Sequence, residues 1–511
     1  MPPARPKVLG LAASLRNARW GAGSEKLVAD LATLPDKAAL LAYLTKESER
    51  HLENFLEAGR RAGKDFLEIY RNLNKATGEA GLSNSEVALA AALWAALREG
   101  ADIGHLSLAE FFTASGDVRR PDVLRRRLLE ADAILLSGPV YFGDRGSLAE
   151  TLVDFIARDD ELRTAVAGRL YGGIAVGAKR NGGQETTLIY QMMDMLGLGM
   201  LAVGNDSDTT AQYGGTGHAG DVGTMHKDIY GIDTSMGVGR RIARVALALA
   251  EGGPLADRPR VAFLVLQDVD GIAQRTVDEL LERLNPRMHA TVVNLTTKSI
   301  RRCLACDICP THIDTDDVYR CIITSSGDDL SDLHAELIQH DILVPVVATS
   351  HDRRRMISNY QTFIERTRYI RRGDYVWSDL LVVPLGLTEG IAYDSYPIRM
   401  LTSFLRHHTV LSRPLVARIV SGRVEGIDDL ADGLATAVGV GERLVSGRLL
   451  IATQPDHRYN PVGYVLSANK DAEDEKLQRR RAMIEDRARR AEREAATRVA
   501  KPRAKENVVR S

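Results

Sequence analysis

A chain of 511 residues, 44% of them hydrophobic and only 5% aromatic, is long enough for about two to four domains with sizeable cores. Its net charge of −1 supplies no bulk field for nucleic acid, and no apolar run reaches the roughly 20 residues of a membrane span, so composition argues against both partners. The first residues read as a strand and not as a signal peptide, which makes a reducing, cytoplasmic setting the expectation.

Strand and helix signals then alternate, predicting a parallel sheet covered on both faces. In the first half the expected strands are Val8–Leu11, Ile103–Leu106, Ala133–Leu136, Gly173–Val176 and Leu201–Gly204. Between about 35 and 83 the pattern is helical, with Leu40, Leu41, Leu44, Leu52, Phe55, Leu56, Phe66, Leu67 and Tyr70 at three- and four-residue spacing. This insertion is expected to be an arm packed on its own domain or a partner, or a lid over a site. The Gly252-Gly253-Pro254 break precedes a second set of strands, Val261–Leu266, Ala290–Leu295, Ile342–Val347, Leu380–Pro384 and Leu415–Val420. Five strands in each half suit two tandem flavodoxin-like, doubly wound α/β sheets. The expected domains are 1–252 and 258–455, followed by a charged tail, 456–511. That tail mixes arginines with acids such as Glu473, Glu485 and Glu492, which predicts a solvated helix or disordered end over a nucleic-acid arm.

After the first strand, the segment from Ala12 to Ser24 is rich in hydroxyls, glycines and arginine and runs directly into a helix. Free N–H groups and the helix dipole at such a terminus favour a phosphate. Ser14, Arg16, Asn17 and Ser24 are the candidate ligands, although Ser24 could instead serve as an N-cap.

All four cysteines, Cys303, Cys306, Cys309 and Cys321, cluster in the second half. Three evenly spaced thiols and a fourth nearby can close a four-thiolate cage such as a four-iron four-sulfur cluster. Zinc and idle thiols are the alternatives, zinc being the less favoured because it usually takes two separated C-x-x-C pairs.

The segment Leu136-Ser137-Gly138-Pro139-Val140-Tyr141-Phe142-Gly143, with Ser147 and Val153-Asp154-Phe155-Ile156, resembles the strand-three signature of flavodoxin-like NAD(P)H-dependent FMN reductases and iron–sulfur flavoproteins. The resemblance implies that Pro139, Val140, Tyr141, Phe142 and Gly143 wrap the flavin ring. Gly177 to Thr187, containing Gly182, Gly183, Gln184 and Glu185, looks like the same family's Gly-Gly-Gln-Glu loop. The stretch Tyr213 to Asp221 resembles its strand-five loop, with His218 lining the flavin edge and not acting as a proton donor. The implied activity is hydride transfer from NAD(P)H to FMN and electron transfer onward to a small-molecule or protein acceptor, with no side-chain acid or base needed. The family's dimers further imply a homo-oligomer, or an internal pseudodimer that brings the second half's loops toward the first half's flavin.

In the second half, the position of the phosphate loop is taken by Gln267-Asp268-Val269-Asp270-Gly271. At about 5 Å and an effective dielectric of about 20, each like-charge pair costs about 3 kcal/mol, so this half is expected not to bind FMN phosphate. Its segment from Ile300 to Cys309, followed by Asp328-Asp329-Leu330, resembles the family's cluster motif with a longer gap to the last cysteine. Gln361, Phe363, Ile364, Glu365 and Arg366 echo the family's helix after strand three. Arg353, Arg354 and Arg355 form a basic patch read as a solvated loop or, alternatively, a site for NADPH or an acidic substrate. The rival to the enzyme is a non-catalytic electron carrier or interaction scaffold with zinc-bound or free thiols.

Overall fold

The computed structural model describes residues 5–60, 80–113, 115–206, 209, 211–306, 321–324, 327–373, 376–390, 395–453 and 473–500. The first half contains β1 (Lys7–Ala12), α1 (Ala22–Thr33), α2 (Lys37–Arg60), α3 (Asn84–Arg98), β2 (Asp102–Ser107), α4 (Pro121–Leu129), β3 (Ala133–Tyr141) and β4 (Asp144–Arg145). It continues with α5 (Ser147–Ala157), α6 (Asp160–Val166), β5 (Leu170–Gly177), α7 (Gln184–Gly197), β6 (Leu201–Ala202), β7 (Gly215–His218) and α8 (Ile229–Glu251). The parallel order is β2-β1-β3-β5, with the short β6 and β7 both on the outer side of β5. This is the flavodoxin-like order, in which ligands bind beyond the carboxyl ends of the strands. The fifth strand breaks after Ala202 and resumes only at Gly215, so part of the expected glycine-rich loop is strand. Gly214 makes that return possible, since a Cβ there would collide with the Gly173 carbonyl.

The second half comprises β8 (Arg260–Val269), α9 (Ile272–Leu284), β9 (His289–Asn294), β10 (Ile342–Thr349), β11 (Met356–Ser358), α10 (Tyr360–Arg366), β12 (Leu381–Val382) and β13 (Leu385–Thr388). It ends with α11 (Tyr396–Leu405), β14 (Val410–Leu411), β15 (Leu415–Val420), β16 (Arg423–Val424) and α12 (Ile427–Ala452). The order β9-β8-β10-β12/β13-β14/β15 runs in the same sense as that of the first half. The expected single strand Leu380–Pro384 is split, because Pro384 has no N–H to give the ladder.

The two half-sheets meet edge to edge in an antiparallel bridge, Ala202 to Leu411. Around it Arg241 of α8 binds Asp379 and the His408 carbonyl, and the His408 imidazole donates to the Asn205 carbonyl at 2.9 Å. Glycine lets α8 and α12 cross closely, since a Cβ at Gly447 would strike the Ala248 backbone. Because the bridge is antiparallel, the carboxyl ends of the two half-sheets face opposite edges. The cysteine loop follows β9, which is seven strands from β3 in the sheet order, roughly 34 Å along it at about 4.8 Å per strand. An internal pseudodimer that brings the second half's loops to the first half's flavin edge is therefore corrected: the reversed strands carry them away. A cavity of about 1070 Å³ does open at the junction, but it is lined by Arg169, Leu170 and Leu201 from the amino ends of first-half strands.

The tail also departs from a solvated end. Residues Glu473–Arg498 form helix α13, and its last residue is buried. Arg498 forks onto Asp341 with bonds of 2.8 and 2.6 Å, and its carbonyl accepts from Ala256 N–H at 2.8 Å. Burial opposes its charge, and Asp341 outweighs that and raises its pKa. Ala495 joins Leu255, Val445 and Leu449 in a small apolar cluster.

Arg498→Ala leaves Asp341 buried without its partner, which should loosen the tail by about 3–5 kcal/mol. Limited proteolysis should then cut within 473–500, and adding Asp341→Asn should restore much of the protection. Acid should weaken the fold through its buried imidazoles: burial holds His105 and His407 near pKa 3 and His51 and His408 near 4. These folded values lie below the unfolded value of about 6.5, so each histidine's stability is present above pH 6.5 and is lost as pH falls toward 4, at up to about 1.4 kcal/mol per pH unit. Urea midpoints at pH 7 and pH 5 check this, and His407→Gln should flatten the slope.

Candidate functional site

The loop from Ala13 to Gly21 crosses the carboxyl edge of the first half-sheet. It is tied down by Ala13 N–H to the Ser137 carbonyl at 2.7 Å and by the Asn17 side chain. The Asn17 amide donates to the Ala12 carbonyl at 2.8 Å and Ser107 Oγ at 3.0 Å and accepts from Ser83 Oγ at 3.1 Å. Asn17 is therefore buried and engaged within the loop. The N-cap of α1 is Gly21, with Ser24 inside the first turn. The Ser24 hydroxyl pairs with His105 Nδ1 at 3.0 Å, so it is neither the cap nor turned to solvent. Ser14 and Arg16 remain at the surface. Ser14 Oγ accepts from Arg16 N–H at 3.2 Å, and the Arg16 guanidinium lies 5.6 Å over the Phe55 ring with no ion pair among the described residues.

A carboxylate that the sequence reading missed holds this loop from below. Ser83 and Glu86 form a capping box at the start of α3, a pattern visible in the sequence. What spacing does not reveal is that the same Glu86 accepts from Ala18 N–H at 2.8 Å and Arg19 N–H at 3.0 Å. Burial pushes its pKa up, and these backbone donors pull against that. Arg19 turns inward to Glu47 of α2, at 2.5 Å.

The second wall is the hairpin of β3 and β4, whose two-residue turn is Phe142-Gly143. Both have positive φ, 53° and 80°, as the twist of a tight hairpin favours. Phe142 is fully exposed at 108% and Tyr141 exposed, while Pro139 and Val140 are half-buried. The loop after β5 abuts this turn through glycine: a Cβ on Gly183, at φ 105°, would lie 2.6 Å from Gly143 Cα. Gly182 likewise faces the Lys179 carbonyl, where a Cβ would come within 2.8 Å. Gln184 is a knot inside this loop, donating to the Lys179 and Gly217 carbonyls at 2.8 and 3.1 Å and accepting from Gly182 N–H at 2.8 Å. Glu185 is exposed in the first turn of α7. His218 lies at the end of β7, half-buried, its N–H on Asp228 at 2.7 Å. The structure thus gathers the loops after β1, β3, β5 and β7 at one edge.

In the second half, Asp268 fills the corresponding place. Its carboxylate accepts from Val269, Ala273 and Gln274 N–H groups at 2.7, 2.8 and 3.4 Å, at the start of α9. The basic patch is largely neutralised: Arg355 pairs with Asp270 and Glu389, and Arg354 pairs with Asp352. Among the cysteines, Cys303 and Cys321 are half-buried and Cys306 exposed, all three unbridged, and Cys309 lies outside the described residues. Ala305, at φ 50°, donates its N–H to Cys303 Sγ at 3.4 Å. The base of the loop is clamped by buried Arg366, which reaches Asp328 at 2.8 and 3.0 Å and the Arg301 carbonyl at 2.8 Å. Among the described residues no three metal-ligating side chains converge.

Gly183→Ala forces a Cβ into Gly143 at a left-handed φ, at a cost of about 1–3 kcal/mol. A lower thermal midpoint with unchanged far-ultraviolet circular dichroism is expected, and Gly143→Ala, which meets nothing within 4 Å, should cost less.

A sequence model of the NADPH-dependent FMN reductase family matches residues 79–212. An iron–sulfur flavoprotein of Methanocaldococcus jannaschii is 38% identical over 126 residues, 24% of this chain and 63% of that protein. An NAD(P)H dehydrogenase (quinone) of Caulobacter vibrioides is 31% identical over 133 residues, 24% of this chain and 66% of that protein. The chain thus spans a little under two thirds of each. Among solved structures, a flavodoxin-type WrbA-like protein of Agrobacterium tumefaciens aligns with 48% of this chain and 98% of its own at 14% identity and a TM-score of 0.24. Through residues 79–212, the first half of this chain is thus similar in sequence to the NADPH-dependent FMN reductase family.

Proposed function

We propose that the chain is an FMN-dependent NAD(P)H oxidoreductase of the flavin or quinone reductase type, with one flavin site, in the first half. The observation that carries this is the convergence of the loops after β1, β3 and β5 at one carboxyl edge, with a surface arginine beside a helix N-terminus. Arg16 has no carboxylate partner among the described residues and belongs to the loop that runs from β1 into the N-terminus of α1, whose dipole would favour a phosphate. The mutual approach of Gly143 and Gly183 leaves backbone and an exposed Phe142 facing the ring's place.

Ser14 and Arg16 would bind the phosphate, and Pro139 to Gly143 with Gly182 and Gly183 would border the ring. Asn17, Ser24 and Gln184 would act one step back, through the loops that they brace. FMN, when bound, supplies acceptance of hydride from NAD(P)H and release of the electrons to an acceptor. The chain's own part is to bind, orient and shield, and no side chain at this edge is required to move a proton. The acceptor is proposed as a small molecule such as a quinone, or a protein.

For the second half we propose a duplicated fold that has lost its phosphate site, because Asp268 supplies the anion internally. The cysteine loop is proposed to hold an iron–sulfur cluster, supported by the names of the relatives and by the N–H to Cys303 sulfur bond. Within one chain that loop is a site apart from the flavin edge.

Ser14→Ala with Arg16→Ala should strip FMN from the purified protein while leaving its melting curve near that of flavin-free wild type; unchanged flavin content sinks the site. An anaerobic absorption spectrum with metal assay should give about one FMN per chain and about four irons. Flavin without iron removes the cluster, and a colourless sample favours the scaffold.

A further inference from the structure

The helical insertion does more than lie beside its own domain. Two contacts tie α2 to the loop after β1, one through Arg19 and one through Arg16. The Glu47 carboxylate receives Arg19 at 2.5 Å and the Gly81 N–H at 2.8 Å, with Arg19 and Glu47 only 1% and 4% exposed. Arg19 Nε also donates to the Gly81 carbonyl at 3.0 Å, so the middle of α2 and the far end of the insertion meet on this one guanidinium. Two turns further along α2, Phe55 carries the Arg16 guanidinium on its ring. Helix α2 also touches the loop after β7, where a Cβ on Gly223 would lie 3.0 Å from the Ser48 carbonyl and 3.2 Å from Leu52 Cβ. Helix α2 therefore spans the gap between the first and last loops of the carboxyl edge.

The two loop arginines have opposite fates. Arg19 is fully compensated by a buried carboxylate and has little charge left for a ligand. Arg16 is stacked on an uncharged ring, which holds its plane by cation–π attraction without neutralising it. His51 lies between these contacts on the inner side of α2. Burial and then the charge of Arg16 hold its pKa near 4, so it stays neutral and leaves Arg16 the cation at this surface.

We propose that α2 is a built wall of the cofactor's phosphate subsite, with Phe55 and Glu47 as positioning residues that aim Arg16 at the phosphate and lock Arg19 away from it. The inference rests on the FMN reading above and extends it to a segment outside residues 79–212. Phe55 acts only through Arg16, so its effect belongs to the phosphate and not to the ring.

Riboflavin, which lacks the phosphate, separates the two. On the flavin-stripped full chain, quenching of flavin fluorescence gives Kd for FMN and for riboflavin. Wild type should prefer FMN by about a hundredfold or more. Phe55→Ala should weaken FMN about fivefold and leave riboflavin unchanged, and Phe55→Tyr should restore FMN binding. Glu47→Gln should weaken FMN at least as much, because the freed Arg19 no longer fixes the loop. Phe55 is half-buried, so its variants remain informative should Glu47→Gln fail to fold. Equal losses for FMN and riboflavin, or no loss in Phe55→Ala, would overturn the wall while leaving the FMN site standing. No preference of wild type for FMN over riboflavin would instead overturn the phosphate reading, and the wall with it.

Discussion

Everything in this chain is arranged about one antiparallel contact, the bridge between Ala202 and Leu411. Each half is a parallel sheet whose outer strand would otherwise be an open edge, and open edges invite pairing with other chains. Joining the two fifth strands removes both edges at once, and α8 against α12 buries the apolar faces beside them. The join also fixes which way the two carboxyl edges face. Opposed strand directions send the carboxyl ends of the two halves to opposite edges, so the loops of the first half and the cysteine loop of the second lie apart within one chain.

Two carboxylates distinguish the halves on a similar strand order. In the first half Glu86 stands behind the loop after β1 and draws its backbone inward through Ala18 and Arg19, while Arg16 is left outside. In the second half Asp268 stands in front, on the N–H groups that open α9. A phosphate approaching that helix would have to displace a covalently tethered anion already satisfied by three donors. The same chemistry, a carboxylate on backbone N–H groups, holds one loop from behind and caps the other from in front.

The alternation of strands and helices is legible in the sequence because buried parallel strands are short apolar runs, and Val8 to Leu11, Val261 to Leu266 and Ile342 to Val347 all lie inside observed strands. The fifth strands are harder to read: Leu201 to Gly204 is two paired residues followed by a long excursion, and one of their two partner strands, at Leu411, is more than two hundred residues away. At the site, the glycines of the Gly182-Gly183 loop are legible as places of close approach. The partner that demands it, Gly143, is not. Hydroxyls and amides are read least well. Ser24 and Asn17 have the right chemistry for a phosphate, but His105 and Ser83, both distant in sequence, already engage them.

Buried arginines are where accessory segments are fastened, and this explains why composition alone misplaces them. Arg19 fastens the insertion to the loop after β1, Arg366 closes the base of the cysteine loop, Arg241 joins the halves, and Arg498 docks the tail helix. Each has a carboxylate partner at least 28 positions away, so no local charge pattern announces it. A guanidinium suits the task because its planar fork can satisfy a carboxylate and a carbonyl together, as Arg366 does with Asp328 and Arg301 and Arg241 does with Asp379 and His408. Removing the cation leaves a buried acid unpaired, which is why such fastenings are strong in one chain and fragile to single substitutions. Arg16 is the contrast to this pattern: of the loop's two arginines it lies over a ring and not on an acid, which is why the phosphate reading proposed above falls on it and not on Arg19.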